Sequence, residues 1–90
     1  MVKTVHLIIK GKVQGVFYRA SAKEMAMKAQ LTGWVRNTKS GDVEILATGK
    51  EEDLNQFITW CGAGPAKAKV EDVTVTDMPF SVFDRFEIMR

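Results

Sequence analysis

Apolar and polar residues alternate along the first part of the chain. Val5, Leu7, Ile9 and Val13 fall on one side of a two-residue period, which predicts a strand that buries one face. The same period predicts four more strands, the last of them short, around residues 34–37, 43–47, 70–75 and 86–88. The period changes phase after Val70, which indicates a β-bulge in the fourth strand.

Two segments follow a helical period instead. Residues 20–30 contain no Gly or Pro and predict a helix whose core stripe is Ala22, Met25, Ala26 and Ala29. A second helix begins at the acidic run 51–53, whose charges complement the helix dipole, and its stripe is Leu54, Phe57, Ile58 and Cys61. We expect Gly33 to end the first helical region and the sequence GAGP at 62–65 to end the second.

The resulting order is β-α-β-β-α-β with a short addition at the C-terminus. It predicts an α+β fold, the ferredoxin-like βαββαβ sandwich, in which two helices pack on one face of an antiparallel sheet. A chain of 90 residues has room for one domain, so residues 1–90 are expected to form a single unit. Because this scaffold carries RNA binders, metal carriers, regulatory domains and enzymes, the fold alone assigns no function.

The composition excludes several classes of protein. With 46% hydrophobic and 27% charged residues, the chain has the make-up of an ordinary globular protein. The single Cys61 cannot form an internal disulfide, and with the single His6 it cannot build a zinc site. No apolar run approaches the roughly 18–20 residues that span a bilayer, and the N-terminus lacks a secretory signal. We therefore expect a cytoplasmic protein with no membrane partner.

The charges are distributed unevenly. Residues 1–40 carry eight Lys or Arg side chains and a single acid, Glu24, whereas residues 41–90 carry five basic and ten acidic side chains. Such an asymmetry produces a field that can draw an anion toward the basic part of the surface. It bears on function only if a specific anion site lies in the basic half.

Residues 11–19, with the sequence GKVQGVFYR, connect the first strand to the first helix. Gly11 and Gly15 allow backbone conformations closed to other residues and a close approach by a ligand. A turn that leads into a helix gathers N–H groups at the positive end of the helix, and Arg19 adds a forked, permanent charge. The stretch fits an anion site, and equally a plain turn with a solvent-facing arginine. It is not a Walker A loop, whose GxxxxGK motif the chain lacks.

The same stretch resembles the acylphosphatase motif Gly-x-Val-Gln-Gly-Val-x-Phe/Tyr-Arg. The sequence GWVRN at 33–37, followed by Gly41, Val43 and Gly49, is similar to the second motif of that family. Both motifs occur in the expected order in a chain of the usual length for the family. The resemblance covers essentially the whole chain and implies a hydrolase that cleaves acyl phosphates to a carboxylate and inorganic phosphate.

The resemblance also implies roles for the matching residues. The backbone amides implied to cradle the phosphate are those of Gln14, Gly15, Val16, Phe17 and Tyr18. Arg19 is implied to bind phosphate oxygens, Asn37 to position the attacking water, and Thr38 to support the site. A monomer without metal or cofactor is implied, with phosphate or sulfate as a competing anion. Phe17 stands where smaller residues are common in the family, so we expect it to narrow the mouth of the pocket.

Two alternatives keep the fold and change the function. RNA-binding modules share the topology, and the sequence GVFY at 15–18 superficially resembles one of their aromatic motifs. Their stacking aromatics lie on the third strand, however, whereas DVEILA at 42–47 is acidic and has no aromatic residue. We therefore expect no nucleic-acid partner. The other alternative is a domain that assists a partner enzyme in carbamoyl transfer; such domains usually lie within longer chains, which favours an independent enzyme here.

Three further groups have simpler interpretations than catalysis. His6 is expected on a face of the sheet opposite Val5 and Leu7 rather than as a general base. Cys61 is expected to be a buried, inert thiol on the stripe of the second helix. The acidic run 51–53 is expected to be a solvated helix start, because consecutive side chains point in different directions around a helix and do not converge on a metal.

Overall fold

Seven elements make up the computed structural model, which describes residues 1–89. In chain order they are β1 Val2–Lys12, α1 Tyr18–Lys28, β2 Thr32–Asn37, β3 Val43–Lys50, α2 Glu51–Ala63, β4 Lys69–Met78 and β5 Phe86–Ile88. The predicted order is therefore confirmed, and the short terminal addition is β5. Within the described residues, neither helix has the length and hydropathy of a transmembrane span.

The strands form one sheet in the order β4-β1-β3-β2-β5. β1 pairs antiparallel with β3 and β4, and β2 pairs antiparallel with β3. The short β5 joins the edge of β2 in parallel, so the complete sheet is mixed. Helix α1 packs against β2 and β5, and α2 packs against β1, β3 and β4. This arrangement is the expected sandwich of a sheet with two helices.

The core lies between the helices and the inner face of the sheet, as the two periods predict. The strand residues that are almost completely buried there include Val5, Leu7, Ile9, Val35, Val43, Ile45, Ala47 and Phe86. The helices contribute Ala22, Ala26, Leu54, Phe57 and Cys61 to the buried set, with Met25, Ala29 and Ile58 partly buried beside them. Alternation along the strands therefore separates an inner face, which carries the core, from an outer face.

The predicted bulge lies beside the loop that follows β1. Lys10 pairs with Asp72 and Gly11 pairs with Val70, so one extra residue of β4, Glu71, has no partner in the ladder. A bulge bends its strand and increases the local twist. The bulge in β4 lies opposite Lys10 and Gly11, shortly before residues 13–17 leave the sheet.

Gly33 does not end the first helical region as expected. Helix α1 ends at Lys28, and the chain turns through Gln30 in the left-handed conformation, with φ 57°. Gly33 lies within β2 instead, with φ 136°. A Cβ atom there would overlap the Leu46 carbonyl oxygen of β3. The glycine therefore permits the close approach of two central strands.

We predict that Gly33→Ala lowers the free energy of unfolding by more than about 2 kcal/mol, because the added Cβ meets rigid backbone and the φ angle is strained. Gly62→Ala is the matched control. That glycine is exposed in α2 with open space at its Cβ position. Its substitution is therefore expected to raise the free energy of unfolding by as much as about 1 kcal/mol. Urea denaturation measures both; equal stability of the two variants would contradict the prediction.

Candidate functional site

The loop between β1 and α1 has an unusual backbone and leaves N–H groups without backbone acceptors among residues 1–89. Gly15 and Phe17 both adopt the left-handed conformation, with φ 76° and 65°, and Phe17 is the N-cap of α1 without a side-chain capping bond. Among residues 1–89, no backbone carbonyl accepts a hydrogen bond from the N–H groups of residues 14–20. Free donors at the positive end of a helix form a site for an anion.

Arg19 stands at this helix start. It is the second residue of α1 and is partly exposed. Arg36 and Arg85 each form an ion pair with a glutamate, whereas Arg19 has no ion pair or side-chain hydrogen bond with the described part of the chain. Among residues 1–89 no acid neutralises its guanidinium, and a forked, permanent charge of this kind suits an anionic ligand.

Asn37 is the last residue of β2 and lies on the inner face of the sheet, in phase with Val35. Its side-chain oxygen Oδ1 is buried and has no hydrogen-bond partner among residues 1–89. A buried polar atom without a partner costs about 1–3 kcal/mol, and such atoms in folded proteins call for an explanation. A donor supplied from outside the chain, such as a water or a ligand, would satisfy this oxygen.

Arg19 and Asn37 line one cleft, with a volume of about 670 Å³. The residues that line it are Val13, Gly15, Phe17, Tyr18, Arg19, Ala20, Asn37 and Ile88. The structure thus brings together most residues of the predicted set, although the two motifs are separated along the chain. Val16 is buried beneath the loop instead, and Gln14 and Thr38 do not line the cleft.

The side chain of Gln14 connects the two motifs. Its Nε2 donates to the carbonyl oxygen of Thr38 over 2.9 Å and to that of Asp42 over 2.8 Å. Both acceptors belong to the turn between β2 and β3, directly after Asn37. From the sequence, only the backbone amide of Gln14 was expected to contribute to the site, and this side-chain contact was missed. The glutamine at a fixed position of the motif was the signal that could have indicated it.

Thr38 supports that turn. Its Oγ1 accepts a hydrogen bond from the Asp42 N–H over 3.1 Å and lies 2.9 Å from the Ser40 hydroxyl. The Thr38 N–H donates to the Asp42 carbonyl over 2.9 Å. These bonds close the turn that follows Asn37, so Thr38 acts on the cleft through the backbone.

Tyr18 anchors the other end of the loop. The side chain is 1% exposed, and its hydroxyl donates to the Cys61 carbonyl of α2 over 2.7 Å. Its ring lies 5.5 Å from that of Trp60. Burial raises the pKa of Tyr18 far above its ordinary value, so the phenol stays protonated and keeps this bond. Tyr18 therefore joins the start of α1 to the end of α2.

The other titratable candidates lie away from the cleft. His6 is on the outer face of the sheet, where its Nε2 lies 2.7 Å from Glu44 Oε2, and Arg36 also pairs with this carboxylate. Partial burial would raise the pKa of Glu44, but the hydrogen bonds from His6 and Arg36 outweigh it and lower that pKa. Among residues 1–89, no three His, Cys, Asp or Glu side chains are grouped to hold a metal ion.

We predict that Gln14→Met lowers the free energy of unfolding by about 2 kcal/mol, because it removes two hydrogen bonds to the turn that follows Asn37. Gln56→Met is the control, since Gln56 is exposed on α2 and its change should stay within about 0.5 kcal/mol. Thermal and urea unfolding give the stabilities. The connecting role is wrong if both variants match the wild type.

The buried thiol of Cys61 should make the stability of the fold depend on pH. Burial raises the pKa of this thiol to about 12, so it stays protonated in the folded chain and ionises near pH 8.5 in the unfolded one. Its contribution to stability is complete below the unfolded pKa and is lost as the pH rises toward 12. At pH 8 we expect Ellman's reagent to label the native chain at least about 100-fold more slowly than the urea-unfolded chain. Equal labelling rates would contradict this burial.

Comparison with known proteins identifies the family to which this chain is related. The sequence model described as Acylphosphatase matches residues 5–88. The acylphosphatase of Syntrophus aciditrophicus is 42% identical over 99% of this chain and 94% of its own length. That of Methylococcus capsulatus is 43% identical over 98% of this chain and 97% of its own. The crystal structure of acylphosphatase from Bacillus subtilis, 37% identical, has a TM-score of 0.95 with full coverage of both chains. The chain therefore belongs to the acylphosphatase family, hydrolases that cleave acyl phosphates.

Proposed function

We propose that this cleft hydrolyses acyl phosphates by in-line attack of a water on phosphorus. Asn37 holds the water, and Arg19 and the amides of residues 14–18 hold the phosphoryl group. The observation that carries the proposal is the buried, unpartnered Oδ1 of Asn37, in the same cleft as a guanidinium with no ion pair inside the described chain. The attacking water would donate a hydrogen bond to Asn37 Oδ1, and the phosphoryl group would be the anion bound by Arg19.

The substrate is a mixed anhydride of a carboxylic acid and phosphoric acid. The water oxygen forms a bond to phosphorus while the bond from phosphorus to the acyl oxygen breaks. The bonding pair leaves with the acyl oxygen as a carboxylate, and the water becomes a hydroxyl of inorganic phosphate. We propose that the second proton of the water passes to a phosphoryl oxygen. The carboxylate is a stable leaving group, so no general acid is required.

Arg19 and the loop amides stabilise the charge on the equatorial oxygens. In phosphoryl transfer, most of the catalysis comes from positioning and from donors aimed at these oxygens. The amides of residues 14–18 are fixed between two anchors, the Gln14 contact to the turn and the Tyr18 contact to α2. Donors held in place before the substrate arrives need little reorganisation during the reaction.

Asn37 is suited to positioning rather than to proton transfer. Its amide oxygen accepts a hydrogen bond from the water, and the amide does not ionise near neutral pH. Holding the water in line behind phosphorus converts a bimolecular step into one within the complex, which lowers the entropic barrier.

The charge distribution supports an anionic substrate. Lys12 and Lys69 face each other across β1 and β4 at the end of the sheet where the loop begins. Basic side chains around a cleft increase the rate of encounter with anions. We propose that phosphate or sulfate competes for the same cradle. We also propose a monomer, and the free Cys61 supports a reducing, cytoplasmic setting.

We predict that Asn37→Ala reduces kcat for benzoyl phosphate by about 100-fold or more, because the water loses its fixed position. Inhibition by inorganic phosphate should change little, since the cradle stays intact. Asn55→Ala on α2 is the control and should behave as the wild type. Near-normal turnover of the Asn37 variant would rule out water positioning by this side chain.

Arg19→Gln should act on binding as well as on turnover. We expect phosphate to inhibit this variant at least about tenfold less strongly, because a charge-assisted, forked contact is lost. Arg19→Lys keeps the charge and should recover only part of the loss. Arg85→Gln, at an exposed arginine outside the cleft, is the control. Unchanged phosphate inhibition in Arg19→Gln would mean that Arg19 does not bind the phosphate.

Assays with and without chelator would show whether turnover needs a metal.

A further inference from the structure

Phe17 combines two features that folding alone does not favour. Its side chain is 77% exposed, and it has a left-handed φ of 65°, which is uncommon for a bulky residue. Within residues 1–89 it makes no aromatic pair, unlike Tyr18, Phe57 and Phe86. Strained backbone of this kind persists where the surroundings impose it, and it concentrates at functional sites. The strain here holds an aromatic ring at the mouth of the cleft.

The cleft is larger than the phosphoryl group needs. At roughly 30 Å³ for each water-sized group, four phosphate oxygens and one water take up about 150 Å³. The cleft has about 670 Å³, and its walls include the apolar side chains of Phe17, Ala20 and Ile88. The remaining space therefore suits the acyl part of a substrate.

The geometry of in-line attack gives the direction of the acyl group. The attacking water and the leaving carboxylate lie on opposite sides of phosphorus. Asn37, which holds the water, has its Oδ1 buried on the inner face of the sheet, whereas Phe17 stands exposed at the rim. The leaving group consequently points from the buried floor toward the mouth, where the ring of Phe17 is the large apolar surface.

We infer that Phe17 forms the contact for the acyl group and gives the enzyme a preference for flat, apolar acyl phosphates, such as aromatic ones, over short ones. This inference rests on the proposed function, because the orientation of the substrate follows from the water on Asn37. An aromatic acyl group buries the exposed ring and stacks on it, whereas an acetyl group covers little of it. Phe17 acts here on specificity through its side chain, separately from its backbone amide.

The test compares two substrates in each of several variants. For the wild type, Phe17→Ala, Phe17→Leu and Phe80→Ala, kcat/KM is measured with benzoyl phosphate and with acetyl phosphate. The ratio of the two values cancels any effect of the substitution on the phosphate loop. Phe80 is the matched control, an aromatic residue that is 59% exposed outside the cleft.

We expect the ratio of benzoyl to acetyl phosphate to fall roughly two- to tenfold in Phe17→Ala, by less in Phe17→Leu, and not at all in Phe80→Ala. Calorimetric binding of phenyl phosphate and methyl phosphate to the same variants provides a readout independent of turnover, and the ratio of their Kd values should change in parallel.

The outcomes distinguish failure of the Phe17 contact from failure of the proposed function. If both substrates are hydrolysed and the ratios are unchanged in Phe17→Ala, the acyl contact is wrong and the proposed function stands. If the wild type hydrolyses neither substrate, the proposed function fails, and the calorimetric ratio still decides whether Phe17 recognises an aromatic group beside the phosphate. An equal fall of the ratio in Phe80→Ala would also overturn the assignment.

Discussion

The two hydrogen bonds from the Gln14 side chain to the carbonyls of Thr38 and Asp42 are the contact on which the candidate site depends. The loop that gathers the amides and the turn that follows Asn37 belong to different strand connections, and this amide group holds them in one arrangement. On the other side, the Tyr18 hydroxyl fixes the start of α1 to the end of α2. The loop therefore has an anchor at each end, and between the anchors its N–H groups have no backbone acceptor among residues 1–89.

The described residues that line the cleft offer dipoles and the permanent charge of Arg19. Among these residues only Tyr18 and Arg19 carry ionisable groups, and the Tyr18 phenol is buried against α2 with a raised pKa. Such a site suits a substrate that already contains a good leaving group and needs only to be held, oriented and relieved of developing charge. The buried oxygen of Asn37 has a cost in the free chain. A bound water would remove that cost at the position where the reaction needs it.

The periods of apolar residues predicted the strands, the helices and the bulge, because burial on one face leaves a direct mark on the sequence. Glycine in a turn before a helix, followed by Arg19, fitted an anion site and a plain turn equally well, and only the family motif favoured the anion site. Asn37 was found only through the family motif, since its burial and missing partner arise from tertiary packing. The side-chain contacts of Gln14 and the role of Gly33 within β2 depend on neighbours distant in sequence, which no local pattern specifies. The narrowing of the pocket by Phe17 stays a prediction.

The central claim is that a water within this cleft attacks phosphorus. Hydrolysis of benzoyl phosphate by the enzyme in water enriched in oxygen-18 tests it most directly, with mass spectrometry of both products after subtraction of the uncatalysed reaction. The account predicts one labelled oxygen in inorganic phosphate and none in benzoate. Label in benzoate would mean attack at the carbonyl carbon and would contradict the roles given to Arg19 and Asn37.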